Sequence, residues 1–318
     1  MKSERGGRDT RGAEEGQRRL GLHMKEHRRD NRGQRLQHTF VVCAYGESPY
    51  LRECLSSLQN QTVRSRILIA TSTPNEAILN AAKEYGCKIL ENQGESGLAG
   101  DWNFALRQAQ TPLVTLAHQD DVYLPEYTHS IVKAYHRNRD AIILFTDYQE
   151  LRELPEHPAG LSEQDHNYTA SDQNIDKKNW VKTESRLVRT KRLLLLPLRV
   201  SLLRRSRWIR RRALSLGNVI CCPSVTYVRN KMPEKLFAGN MKSNIDWQAW
   251  EQLSKRKGSF VYLPEKLMLH RIHGGSTTSS LVNDHARREE DLYMFRKFWP
   301  GKVPELIWKV YGKNERYQ

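Results

Sequence analysis

Leu113-Val-Thr-Leu-Ala-His-Gln-Asp-Asp121 is an apolar run of strand length that ends, without a spacer, in four polar side chains. A buried strand delivering polar groups at its carboxyl end is the hallmark of an open α/β sheet, whose ligands bind along that edge. Two adjacent carboxylates repel each other unless a cation lies between them. Asp120 and Asp121 therefore point to a divalent metal, Mg2+ or Mn2+, and through it to a diphosphate. An acidic pair after a strand also serves as a turn former or helix cap, and on these residues alone both readings stay open.

Working outward, the flanking segments repeat the same alternation of apolar runs and helical periodicity. Thr39 to Ala44 reads as a strand running into Gly46-Glu47-Ser48-Pro49, with Ser48 suited to an N-cap and Pro49 to the first helical position. Leu51, Cys54, Leu55 and Leu58 follow at helical spacing. A second strand, Ile67 to Ala70, leads into a helix carrying Ala77, Ile78, Ala81, Ala82 and Tyr85, which Gly86 should stop. A third strand, Lys88 to Leu90, precedes a Gly-rich loop after which Asp101 is expected to cap a helix bearing Trp102, Ala105, Leu106 and Ala109. Downstream of the acidic pair come a helix from about Pro125 to Arg137 and a strand from Ala141 to Thr146 ending at Asp147.

The chain of 318 residues carries a formal net charge of +16 with 38% hydrophobic residues, enough for a sizeable core. The charge is concentrated. Residues 177–212 hold fourteen Lys or Arg and one Glu, and residues 1–37 hold eleven basic and six acidic residues, which leaves the remainder at −2. The stretch 1–37 is too polar to bury a core and is expected to be a disordered basic tail, with Met24 an alternative start. After Pro197, Leu198, Leu202 and Ile209 fall on one helical face with Arg199, Arg204, Arg207 and Arg210 opposite. That is an imperfect interfacial helix, suited to an anionic membrane surface; a solvated basic face is the plainer alternative. No stretch approaches the ~18 consecutive apolar residues of a membrane-spanning helix, and the N-terminus lacks the apolar core of a signal peptide. The expectation is a cytoplasmic protein docked peripherally on the inner face of the membrane. The five cysteines show no metal-ligand spacing and read as structural thiols.

Six segments, in order, resemble the inverting GT-A glycosyltransferases of family two, of the rhamnosyltransferase-like kind that build cell-surface glycans. They are Phe40-Val-Val-Cys-Ala-Tyr-Gly-Glu47, Tyr50-Leu-Arg-Glu-Cys-Leu-Ser-Ser-Leu58, Gly97-Leu-Ala-Gly-Asp-Trp-Asn103, Leu116-Ala-His-Gln-Asp-Asp121, Ser243-Asn-Ile-Asp-Trp247, and His270-Arg-Ile-His273 with Ser276 and Thr277. The resemblance implies a Rossmann-like, mostly parallel sheet flanked by helices, with residues 151–215 as a basic helical insert. Residues 38–150 would form the nucleotide-sugar half, 216–280 the acceptor and catalytic half, and 281–318 a C-terminal helical segment holding Leu292, Phe295, Phe298 and Trp299. It further implies donor contacts at Ala44, Tyr45, Glu47, Thr71, Asn103, His118, Asp120 and Arg271, a metal held by Asp120 with His273, and Asp246 as general base.

Two departures from the family pattern matter. His118 stands where the metal motif has its first carboxylate, leaving Asp120 as principal ligand. Thr71 and Thr73 replace the acidic turn that reads the base, and a hydroxyl accepts that hydrogen bond less strongly. On residue pattern alone Asp246 is equally a helix N-cap, and Trp247 and Trp250 either core or a platform for an acceptor sugar. Two other classes compete. A nucleic-acid binder would interleave aromatics for base stacking, yet the insert has only Trp180 and Trp208. A sugar nucleotidyltransferase needs a Gly-rich, Lys/Arg-bearing phosphate loop after the first strand, and Ala44 to Pro49 contains no basic residue. The expected partners are thus a nucleotide-sugar donor, a glycan or lipid-linked glycan acceptor and an anionic membrane, with no nucleic acid.

Overall fold

The computed structural model describes residues 36–153, 180–274 and 285–315. The predicted tail up to residue 35, Met24 included, the loop 154–179, Ser276 and Thr277 lie outside the described residues. Residues 36 and 37, assigned above to the tail, belong to the fold: Leu36 is buried and the Gln37 carbonyl accepts from the Leu113 amide at 3.1 Å.

The first half is built as expected from βα units. Strand β1 (His38–Ala44) is followed by α1 (Leu51–Gln59), β2 (Arg66–Thr71), α2 (Glu76–Glu84), β3 (Lys88–Glu91), α3 (Leu98–Gln108) and β4 (Leu113–His118). The strands pair in parallel in the order β3-β2-β1-β4. Both faces of β1 are covered. Phe40, Val42 and Ala44 pack with Leu51, Cys54, Leu55 and Leu58 of α1, while Val41 joins Trp102, Ala105 and Leu106 of α3 in the opposite core.

Two expected caps have other partners. Helix α1 starts at Leu51 with no side-chain cap, because the Ser48 hydroxyl is turned toward the acidic pair. Helix α3 starts one turn before Asp101, at a Gly97 N-cap with φ +90°. The loop before it lies so close that a Cβ on Gly100 would sit 2.1 Å from the Glu95 carbonyl oxygen. Asp101 instead accepts from Asn92 and Ser72, tying the loops after β3 and β2 together.

The second half adds β5 (Val122–Tyr123), α4 (Tyr127–Arg137), β6 (Ala141–Glu153), β7 (Trp180–Thr183), α5 (Arg186–Leu195), α6 (Arg207–Ala213), β8 (Val225–Val228), α7 (Ile245–Ser254), β9 (Ser259–Ile272), α8 (His285–Arg296) and α9 (Val303–Glu315). The nine-stranded sheet continues from β4 through β8, β6, β9 and β5, with β7 on β6. The long parallel ladder of β6 with β9 keeps most of the register parallel, and β8 enters antiparallel between β4 and β6. Strand β6 does not stop at Asp147 but runs to Glu153; its polar second half is buried because β9 and β7 flank it.

The basic insert departs most from expectation. Pro197 lies in a short 3-10 turn, Leu196–Arg199, and a second turn at Leu203–Arg205 precedes α6, so no continuous helix follows Pro197. Leu198 is buried in the core while Leu202 is exposed. Much of the insert's charge is internal. Arg210 is fully buried and donates to the carbonyls of Gly258 (2.9 Å) and Arg256 (2.8 Å), and burial lowers its pKa to about 10. Arg211 pairs with Glu251, and Arg212 lies over Trp299. Trp247 and Trp250 are fully buried, which makes them core and not an acceptor platform. The five cysteines are free thiols.

One buried group ties the sheet's stability to pH. His38 lies inside β1 between Ser65 Oγ (2.9 Å) and Thr115 Oγ1 (2.8 Å), and burial lowers its pKa from 6.5 to about 3. The folded state keeps this imidazole neutral where the unfolded chain protonates it, so stability falls as pH drops below 6.5 and the loss is complete near 3. Calorimetric unfolding should show His38 costing roughly 2 kcal/mol at pH 5 relative to pH 7. His38→Gln should flatten that slope, and an unchanged slope would assign the acid sensitivity elsewhere.

Candidate active site

The carboxyl ends of β1, β4 and β9 converge on Asp120 and Asp121. Asp120 is held from three sides. Ser48 Oγ donates to its Oδ1 at 2.7 Å, His273 Nε2 stands 3.3 Å from its Oδ2, and Arg271 Nε donates to its backbone carbonyl at 2.9 Å. Asp121 is buried beneath it, where Oδ1 accepts from the Arg271 amide (3.0 Å) and pairs with His270 Nδ1 (3.0 Å). Burial alone would raise the Asp121 pKa, but the charge and hydrogen bond of His270, with the Arg271 amide, outweigh it and hold the carboxyl below its ordinary value. Burial likewise opposes charge on His270, but Asp121 prevails and raises it. The two form a part-buried ion pair that locks β9 to the turn after β4.

Arg271 is the keystone of this corner. Its side chain is 1% exposed, pairs with Glu53 of α1, and is sandwiched between the rings of Tyr50 (4.4 Å) and Trp180 (4.5 Å). The guanidinium expected to meet a diphosphate is engaged in holding Asp120, α1 and β7 together. His273 packs against Tyr50 with ring centroids 5.0 Å apart.

Asp120 and His273 offer a cation two neighbouring ligand atoms. Among the described residues no group of three or more His, Cys, Asp or Glu side chains could hold a metal. Two protein ligands suit an open site, in which a diphosphate and water complete the shell, and not a closed structural one. Two buried polar atoms nearby, Asp121 Oδ2 and His118 Nε2, have no protein hydrogen-bond partner, consistent with a polar guest.

The other expected donor contacts fall into two groups. Ala44 is buried at the end of β1; Tyr45 and Glu47 are exposed in the turn beyond it. The Gln119 amide pairs with both the N–H (3.1 Å) and the carbonyl (2.9 Å) of Tyr45, locking that turn beside the acidic pair. His118 stacks on Trp102 at 5.2 Å, and burial depresses its pKa, so it presents a neutral imidazole. Thr71 and Asn103 have their polar atoms committed. Thr71 is buried and its Oγ1 accepts from the Thr73 amide at 3.0 Å, while Thr73 Oγ1 accepts from the Gly46 amide at 2.8 Å. Asn103 is buried, accepts from the Leu236 and Phe237 amides and donates to the Phe237 carbonyl. In this structure it is a strut between the two halves.

Asp246 sits in the first turn of α7, but the N-cap is Asn244. Its Oδ2 accepts from Asn218 at 2.7 Å and its Oδ1 from the Trp247 amide at 2.7 Å. Burial raises its pKa above the ordinary carboxylate value, with the Asn218 hydrogen bond opposing. Burial, then the charge of Asp121 with a smaller part from Asp246, pushes the Cys221 thiol well above its ordinary value. Sequence reasoning missed Asn218, Glu53 and Gln119, and read Ser48 only as a cap. Each acts through a partner 28 to 218 residues away, which local pattern does not disclose.

Arg271→Ala should therefore destabilise the ligand-free protein by on the order of 2 kcal/mol or more, since Glu53 and two rings lose their partner. Denaturant unfolding of the unliganded variant checks this, and wild-type stability would mean that the guanidinium serves ligand alone.

Residues 39–232, more than half of the chain, match the model of glycosyl transferase family 2. No curated protein matches the chain. Among solved structures, S. aureus TarS 1–349 in complex with UDP-GlcNAc is 14% identical with a TM-score of 0.51, covering 89% of this chain and 73% of its own. The mannosyltransferase PcManGT from Pyrobaculum calidifontis, in complex with GDP-Man and Mn2+, is 14% identical with a TM-score of 0.54, covering 88% and 69%. Their likeness is one of fold, a curled and mostly parallel sheet flanked by helices. With that family match spanning the strands that build the Asp120 edge, the chain belongs to glycosyl transferase family 2 and has the GT-A fold.

Proposed function

We propose that this glycosyltransferase moves a sugar, a hexose or deoxyhexose, from a nucleoside diphosphate donor to a hydroxyl of a glycan acceptor, with inversion. The observation that carries the reading is the Asp120–His273 pair, 3.3 Å apart at the sheet edge and clamped by Ser48 and Arg271. A divalent cation held there would neutralise charge on the diphosphate. An imidazole ligand favours Mn2+ over the more oxygen-demanding Mg2+. The two solved relatives were captured with UDP-GlcNAc and with GDP-Man and Mn2+, which supports a nucleotide-sugar donor here.

Asp246 is the general base. As the acceptor oxygen bonds the anomeric carbon, its proton passes to the Asp246 carboxylate, and the bond to the diphosphate breaks on the opposite face with its electron pair leaving on phosphate. A raised pKa makes Asp246 a stronger base and moves its working range upward. His118 and the Tyr45 turn border the donor, while Asp121, His270 and Arg271 position Asp120.

Thermal shift with UDP-, dTDP- and GDP-sugars plus Mn2+ should identify one stabilising donor, and Asp120→Ala should abolish the metal-dependent part. With that donor, Asp246→Asn should retain binding and lose at least ~100-fold in turnover. The wild-type acid limb should lie above the ~3.9 of an ordinary aspartate. Full turnover in Asp246→Asn would remove it as the base.

The acceptor is lipid-linked in this reading, at the cytoplasmic face of the membrane, in cell-surface polysaccharide synthesis. Among the described residues no helix is long and apolar enough to cross a membrane. Exposed Leu193, Leu196, Val200, Leu202 and Trp208 cluster on the insert beside exposed Arg199 and Arg207, a surface suited to anionic lipid. The protein should co-sediment with vesicles containing anionic lipid, and Leu202→Glu with Trp208→Glu should release it. Equal binding of that double variant would place the contact elsewhere.

A further inference from the structure

The carboxylate read as the base is held in place by a helix far from it in sequence. Residues 39–232 carry the family match, whereas Asp246 opens α7 and the turn before it is gripped by α8. That turn, Lys242-Ser-Asn244, directs three successive amides at one carboxylate. Glu290 Oε1 accepts from the Lys242 N–H at 2.7 Å. Its Oε2 accepts from the Ser243 N–H (2.9 Å), the Ser243 hydroxyl (2.6 Å) and the Asn244 N–H (3.1 Å). The next residue, Asp291, accepts from the Asn244 side-chain amide at 2.8 Å, and both of these residues are buried. Asn244 is the N-cap of α7 yet makes no side-chain capping bond. Its side-chain amide is bound by α8 instead.

Successive backbone N–H groups converging on one anion form a stiff concavity, and an anion ahead of a helix also opposes the positive end of its dipole. Burial would raise the Glu290 pKa, but the Ser243 hydroxyl and the three amides outweigh it and hold the carboxyl below its ordinary value. Asp246 lies two residues beyond this clamp. Its own carboxylate is held by Asn218 and by the Trp247 amide, each at 2.7 Å, so its aim depends on how the first turn of α7 is set. Trp247 sets the buried side of that turn: its Nε1 donates to the Leu214 carbonyl at 3.0 Å and its ring meets Phe295 of α8 at 5.2 Å. Glu290 sets the path by which the chain enters.

Resting on the reading of Asp246 as base, we propose that Glu290 is a positioning residue for the transfer reaction: through the 242–244 turn it aims the Asp246 carboxylate at the acceptor hydroxyl. Misplacing a reacting group by about 1 Å costs on the order of 100-fold in rate, so a clamp two residues away bears directly on turnover. Glutamate suits the task, because its two oxygens can accept from all four donors, whereas glutamine would present an NH2 to at least one of them. The C-terminal segment then contributes to chemistry through Asp246 and leaves the binding of the donor to the Asp120 edge.

The test is a double-mutant cycle of wild type, Glu290→Gln, Asp246→Asn and the double variant, with Glu289→Gln at an exposed position of α8 as control. Release of nucleoside diphosphate from UDP-GlcNAc, GDP-mannose and dTDP-rhamnose with Mn2+, water standing in for the acceptor hydroxyl, gives kcat and donor KM at a temperature where every variant is folded. Glu290→Gln should lose roughly ten- to a hundred-fold in kcat with donor KM within about twofold, and Glu289→Gln should match wild type. Amide exchange at 242–244 should quicken in Glu290→Gln, and unchanged exchange would overturn the clamp whatever the donor. In the Asp246→Asn background the Glu290→Gln loss should shrink below about twofold, because aiming a side chain that no longer takes the proton gains nothing. A merely structural role predicts the same loss in both backgrounds or a raised KM, and either result overturns the assignment. If Asp246→Asn itself turns over like wild type, the base reading fails and Glu290 falls with it; if Asp246→Asn is slow while Glu290→Gln keeps the wild-type rate, only the glutamate is wrong.

Discussion

A buried arginine carries the geometry of this molecule. Arg271 reaches from the end of β9 to the Asp120 carbonyl, to Glu53 on α1 and to the faces of Tyr50 and Trp180, while its own amide binds Asp121. A guanidinium removed from water is costly unless every donor finds a partner, so this arrangement fixes β9, α1, β7 and the turn after β4 relative to one another. The same clamp presents Asp120 Oδ2 to His273. A site that binds a charged group through few ligands needs such rigidity, because displacement of a carboxylate by an ångström forfeits most of its coordination.

The charge distribution has a related explanation. A +13 stretch looks from sequence like a surface feature, and part of it is one. Yet Arg192, Arg205, Arg210, Arg211 and Arg212 bind Asp147, Asp140, two backbone carbonyls, Glu251 and a tryptophan ring respectively. Arginine suits this work, since a planar, weakly hydrated fork satisfies carbonyls and carboxylates at low desolvation cost. The insert lacks a continuous core of its own, and these contacts fasten it to β6, α7 and the C-terminal segment.

What the sequence disclosed follows the range of the interactions involved. The units from β1 to β4 were legible because two covered sheet faces demand continuous apolar strands, and α1 to α3 show one apolar stripe each. Strand β6 was cut short at Asp147 because its remaining residues are polar, and only the pairing with β9 and β7 explains why Asp147 and Glu150 are buried. Ser48 and Asp101 satisfied every local rule for a helix cap and were claimed by partners from other loops. Asp120 and His273 emerged together because the resemblance placed their segments in order, while the pairing of Asp121 with His270 shows only in the fold. Asn218 and Glu53 carry no motif, and their partners, Asp246 and Arg271, appear only once distant segments are brought together by the fold.

The environments of Asp121 and Asp246 shift their carboxyls in opposite directions, which fits the roles proposed for them. Asp121 is buried yet held below its ordinary pKa, because His270 and the Arg271 amide outweigh desolvation. Asp246 has one neutral amide and one backbone N–H, and burial prevails. A carboxylate that is stabilised makes a poor base but a firm anchor, whereas one held above its ordinary pKa gains basicity. The structure thus keeps its strongest counter-charges for the residues that hold position and leaves Asp246, the proposed base, the least compensated.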